Sequence, residues 1–150
     1  MAELTRQEIV KIIAGGCRPL QLRGVDLSHL DLSYLDLSAA DLSYANLTCA
    51  NLTHACLYEA NLFGATAVAA NFREALLSGA DLIGVDMTQA NLQGAYLQGV
   101  TLVGATLRGA NLSGVNYERV DFSGARVNQA TLWPAGFDQT RYQLFIDQEA

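Results

Sequence analysis

Apolar residues recur in this chain at every fifth position, and that period leaves few folds open. Counting in fives from Leu22 to Phe137 gives 24 positions: seventeen Leu, three Phe (Phe72, Phe122, Phe137), and Met87, Tyr117, Val127 and Ala67. Two places before each lies a second column, Leu20 to Ala135, holding sixteen Ala, five Val and three Leu. Asp, Asn or Thr mostly sits between the two columns, and Ser or Thr and then Gly often follows, as in Ala110-Asn111-Leu112-Ser113-Gly114. In an α-helix each five-residue step turns about 500°, so the Leu column would spread over every face. In a long strand, odd steps would alternate between faces. A short extended segment followed by a corner satisfies the pattern. The two apolar residues then point the same way, the residue between them points out, and the last two turn the chain. Repetition makes an all-β solenoid with a narrow apolar lumen, its stacked coils joined by backbone hydrogen bonds.

These units resemble the pentapeptide-repeat family, in the manner of its short cyanobacterial-type members. Twenty-four consecutive units over residues 20–139 carry the resemblance without an insertion. The run Leu132-Trp133-Pro134-Ala135-Gly136-Phe137-Asp138 resembles the endings of such chains. The resemblance implies a right-handed quadrilateral β-helix with four units per coil. About six coils at ~4.8 Å each make a rod roughly 29 Å long. The residue pattern suits a coil of four units. In the middle column Asp41, Asn61, Asp81, Thr101 and Asp121 alternate, as stacked like charges require. Asn51, Asn71, Asn91 and Asn111 are expected to form a ladder of amides bonded up the stack. Ala67 leaves space that Met87, one coil on, or Phe72 in the same coil would fill.

The ends need covers. Residues 1–18 read as an N-terminal capping helix and link, 19–139 as the β-helix, and 140–150 as a C-terminal cap or tail. Thr5-Arg6-Gln7-Glu8 is a capping box, Leu4 and Ile9 form a hydrophobic staple, and Gly15-Gly16 stops the helix. Ile9, Ile12 and Ile13 give it one apolar face, and the larger first-coil residues Leu20, Val25, Leu30 and Leu35 are suited to meet such a lid. Thr140-Arg141-Tyr142-Gln143 repeats the capping-box pattern and would start a short helix through Leu144, Phe145 and Ile146, the alternative being a frayed tail.

Composition narrows the function. Charged residues are 16% of the chain, the net charge is −6, and Lys11 is the one lysine, which argues against direct nucleic-acid binding. No apolar run approaches the ~18 residues of a membrane span. The N-terminus does not resemble a signal peptide, so a cytoplasmic location is expected. Cys17, Cys49 and Cys56 read as free thiols rather than a disulfide framework. Carboxylates fall where the repeat wants Asp, no catalytic constellation stands out, and neither an enzyme nor a cofactor is expected. On a four-unit register His29 stacks on Cys49, and His54 lies between Tyr34 and Glu74. Neither pair supplies the three or four ligands of a metal site.

The outward positions carry the functional signal. One column reads Arg23, Ser43, Phe63, Ile83, Val103, Ser123, with Val68 one unit beyond Phe63; a second reads Asp36, Cys56, Leu76, Tyr96, Asn116. Stacked apolar side chains on a rigid rod mark an interface, so Phe63, Ile83, Val103, Val68, Leu76 and Tyr96 are the candidate surface. Asp26, Asp31, Asp36 and Asp41 would form an acidic ring around one coil. The expectation is a non-catalytic, regulatory protein-interaction scaffold, its partner a protein or a second copy of itself. The resemblance also offers an alternative, a DNA-mimicking inhibitor of DNA gyrase of the quinolone-resistance type. The lack of insertions weighs against it, as does the concentration of four of the repeat region's eleven acids at one coil rather than in a track along the rod.

Overall fold

A computed structural model describes residues 4–16 and 18–148. Its backbone pairs with itself in parallel at a spacing of one coil. Gln21 pairs with Asp41, Asp26 with Asn46 and Asp31 with Asn51, and the series continues to Thr106 with Arg126. Leu22 N donates to Asp41 O and Asp41 N to Leu20 O, each at 2.8 Å, and such bonds recur up the stack. The Leu and Ala columns point inward and are buried along the rod, with Ala67, Phe72 and Met87 among them.

Each corner is a four-residue turn starting at the Leu. Ala40 N donates to Leu37 O at 3.1 Å and Ala65 N to Leu62 O at 3.0 Å. The third residue of the turn has a positive φ, 65° at Gly84 and 56° at Ala39, as type II geometry demands. The outward Asp or Asn fastens this corner. Its Oδ1 accepts from the backbone N–H two residues on: Ser43 to Asp41 at 3.0 Å, Thr53 to Asn51 at 3.1 Å, Ile83 to Asp81 at 2.9 Å. Asn71, Asn91 and Asn111 use their oxygens in the same local way, each at 3.0 Å. No bond joins Asn51, Asn71, Asn91 and Asn111 to one another among the described bonds, so the expected amide ladder does not form. The vertical amide bonds run instead from Asn to Asp at the first coil, Asn46 to Asp26 and Asn51 to Asp31, both at 3.2 Å.

Helix α1 spans Arg6–Ala14, and its capping box forms: Thr5 N donates to Glu8 Oε2 at 2.6 Å and Glu8 N to Thr5 Oγ1 at 3.3 Å. Ile9 is buried in the core, with Leu4 and Ile13 packed against it. Ile12 is 38% exposed, so the apolar face is narrower than the sequence suggests. Arg6 and Arg18 reach carbonyls of the first coil, Ser33 O at 3.0 Å and Asp36 O at 3.2 Å.

The C-terminal end differs from expectation in two ways. Regular counting in fives fails after Val127. Asn111 pairs with Leu132, one residue past the register of Thr106 with Arg126. Thr131 takes the inward station, its hydroxyl donating to Leu107 O at 2.9 Å, and Leu132 is 53% exposed. The 140–146 helix is also absent. Asp138 caps a single 3-10 turn at Gln139–Arg141, and strand β2 (Phe145–Ile146) pairs in parallel with β1 (Arg126–Val127). Phe145 N donates to Ala125 O and Asp147 N to Val127 O, each at 2.8 Å. The last coil offers unpaired edge groups, and satisfying them outweighs a helix too short to stand alone. Trp133, Phe137 and Tyr142 stack in parallel with centroids 4.1 and 4.9 Å apart, and buried Phe122 meets all three edge-on.

Candidate interaction surface

The stacking of the turns sets the apolar stripe. Tyr44 N donates to Phe63 O at 2.9 Å, Gly64 N to Ile83 O at 3.0 Å, and Gly84 N to Val103 O at 2.9 Å. Phe63, Ile83 and Val103 are thereby held on successive coils at one corner. Phe63 is 38% exposed, and Ile83 and Val103 are half-buried. Val68 is half-buried at the next corner. Leu76 and Tyr96, exposed and paired in register, stack on another face.

Tyr44 belongs to the stripe, and column reading passed it over. Its ring meets Phe63 edge-on at 5.6 Å between centroids, and the Arg23 guanidinium lies over the ring, 5.0 Å from its centroid. A Cβ on Gly64 would come within 2.8 Å of Tyr44 Cε1, so the ring lies across that bare backbone. The sequence signal was present: Gly64, Gly84, Gly104 and Gly124 succeed Tyr44 at coil spacing, leaving room beside the apolar row.

Two of the four aspartates at successive first-coil corners, Asp26, Asp31, Asp36 and Asp41, are paired with arginines. Asp31 lies 3.7 Å from Arg6 and Asp36 lies 3.0 Å from Arg18. Each ring carboxyl is held below the usual carboxylate range, first by the hydroxyl of the Ser two residues on and then by that residue's N–H. The His54 stack is also brought together. Tyr34 lies parallel to the imidazole at 5.0 Å, and His54 Nε2 is 3.3 Å from Glu74 Oε2. Arg73 Nε stands 3.6 Å from the other oxygen of Glu74. Among the described residues, no three His, Cys, Asp or Glu converge as metal ligands would. Cys49 and Cys56 are free thiols, Cys56 Sγ lying 2.9 Å from Ser38 Oγ, and Cys17 lies outside the described residues. No helix among the described residues is long and apolar enough to cross a membrane.

Coils that pair only with their neighbours, around a continuous apolar core, define a β-solenoid repeat protein. The chain belongs to the pentapeptide-repeat family, whose model (pentapeptide repeats) matches residues 21–57, 55–94 and 90–133. Proteins of this family fold as right-handed β-helices. A pentapeptide-repeat protein of the cyanobacterium Cyanothece 51142 is 34% identical, with a TM-score of 0.63 over 77% of this chain and 88% of that one. Another, from the Arabidopsis thaliana thylakoid lumen, is also 34% identical, with a TM-score of 0.65 over 68% of this chain and 71% of that one. The plasmid-mediated fluoroquinolone resistance protein QnrB1 is 17% identical with a TM-score of 0.38, covering 85% of this chain and 81% of that one, a likeness too slight to bear on function. No curated protein sequence matches the chain.

Proposed function

We propose that the chain is a non-catalytic protein-interaction scaffold with a regulatory role, and that Phe63, Ile83 and Val103 form its docking surface. The observation that carries this reading is the stack of three apolar side chains on successive coils, at stations the repeat mostly gives to polar residues. Val68 widens it, and Leu76 and Tyr96 supply a smaller second patch. The interior supports a non-catalytic role: Leu and Ala fill it, and no buried side-chain nitrogen or oxygen among the described residues lacks a partner. In this reading six coils over 19–139 form the rod, α1 closes its N-terminal end, and the segment from 140 to 148 covers the other. The partner is a cytoplasmic protein or a second copy of the chain, and neither nucleic acid nor a membrane binds directly.

Mimicry of duplex DNA towards gyrase would need a track of charge along the rod. Four of the eleven acids of 20–139, Asp26, Asp31, Asp36 and Asp41, are concentrated at one coil, and Arg6 and Arg18 pair two of them.

Ile83→Asp tests the proposal. Ile83 points outward, so the thermal midpoint is expected to stay within about 2 °C of the parent. Recovery of the host partner, or the dimer fraction in sedimentation, is expected to fall roughly tenfold or more. A variant with unchanged oligomeric state and unchanged partner recovery sinks the proposal.

A further inference from the structure

Charge around the apolar row points to the chemistry of what covers it. Asp81 precedes Ile83 by two residues and Asp86 follows it by three, so one carboxylate stands on either side of the row. Each spends Oδ1 on its own turn, Asp81 on Ile83 N at 2.9 Å and Asp86 on Thr88 N at 3.0 Å. Among the described residues, neither carboxylate has an Arg, Lys or His partner. Arg73 is the one basic residue of 61–107; it sits two units from Phe63, on the opposite side of the coil, beside Glu74. The cations towards the ends of the stripe are engaged, Arg23 over Tyr44, and Arg108 and Arg126 with Asp147 at 2.6 and 3.3 Å. The centre of the stripe is thus apolar, negatively flanked and without its own counter-charge.

Spacing selects the secondary structure of the partner. Successive rungs of the row are ~4.8 Å apart, while an α-helix rises ~5.4 Å per turn. Apolar side chains one turn apart therefore drift only about 1.2 Å over three rungs, the length of the Phe63–Ile83–Val103 row. Same-face side chains of a strand lie roughly 6.6 Å apart and lose register by the second rung. Beyond the row, Gly84 and Gly104 have open space above them where a helix can approach.

We propose that this stripe takes an amphipathic helix of a partner protein, its apolar side chains on Phe63, Ile83 and Val103 and its Lys or Arg residues beside Asp81 and Asp86. The inference rests on the stripe being a docking surface, and it adds the helical form and basic character of the partner.

The test is an amide-resolved NMR titration of the full chain with three synthetic peptides, each about 18 residues. The first is a Leu/Lys helix, the second the same helix with Glu for Lys, and the third an alternating Leu-Lys strand former. The Leu/Lys helix is expected to move the signals around Phe63, Ile83 and Val103. Its affinity is expected to fall roughly tenfold in Ile83→Asp and about as much in the Asp81→Asn/Asp86→Asn double variant. Asn keeps the Oδ1 acceptor that both turns need, so the double variant retains the fold. Equal binding of the Glu peptide, tighter binding of the strand former, unchanged affinity in the double variant, or shifts confined to the acidic ring would each overturn the inference. The docking reading answers to a different measurement: if Ile83→Asp abolishes partner recovery or self-association while the Leu/Lys helix fails to bind, the helix inference falls and the docking surface stands.

Discussion

Eleven residues with side chains, from His29 to Arg119, hold a left-handed backbone at the third turn position among the described residues. A Cβ there costs about 1–2 kcal/mol per residue relative to the right-handed region. The rod tolerates this because most of these turns are closed three ways: by their own backbone bond, by an Asp or Asn oxygen, and by a bond to the next coil. At Ala39 these are Ala40 N to Leu37 O, Ser38 N to Asp36 Oδ1, and Ala39 N to Tyr58 O. Ala39 (φ 56°) and Ala69 (φ 54°) bring the strain without a long side chain to offset it. Glycine at either site is expected to stabilise the protein by about 1 kcal/mol, raising the thermal midpoint by roughly 2–4 °C. Calorimetry of Ala39→Gly and Ala69→Gly decides it; a lower midpoint for both would mean that unfolded-chain entropy outweighs turn strain.

At the level of elements, the repeat and the N-terminal helix could be read from local patterns, and the C-terminal end could not. Thr5 and Glu8 lie three residues apart and need only each other, so the capping box is visible in sequence. A one-residue slip is invisible to counting in fives, because Leu132 still keeps the count. Only the fit of Thr131 against Leu107 O sends Leu132 outward. This separates two leucines that sequence treats alike. Leu82→Ala is expected to cost about 2–5 kcal/mol, and Leu132→Ala less than about 0.5. Urea unfolding of the two variants measures the difference, and equal losses would restore the unbroken register. The C-terminal strand obeys the same lesson. Asp147 anchors it with Arg108 at 2.6 Å and Arg126 at 3.3 Å, partners 39 and 21 residues away that no local pattern reveals.

For the whole molecule, the carboxylates set a limit in acid. Asp26, Asp31, Asp36, Asp41 and Asp121 sit below the usual range chiefly through the Ser hydroxyl two residues on, Asp138 through that of Thr140, and Asp147 through Arg108. A folded value below the unfolded one means that protonation favours the unfolded chain. Their stabilisation is complete above the ordinary carboxylate value of about 4 and disappears as pH falls through the depressed values. The urea midpoint is expected to hold between about pH 6 and 8 and to drop below about 4, with Asp121→Asn reducing the drop. A midpoint that rose in acid would contradict these carboxylate assignments. The period of five determined the solenoid, its inward columns as far as Val127 and the outward stations of Phe63, Ile83 and Val103, because each depends on geometry repeated every few residues. The Tyr44 ring over Gly64, the pairing of Arg6 and Arg18 with the acidic ring, the slip at Thr131 and the final strand depend on groups that meet only once the coils have stacked. Hydrogen bonding at an open end and packing across coils are contests between distant residues, and only the assembled rod holds both contestants.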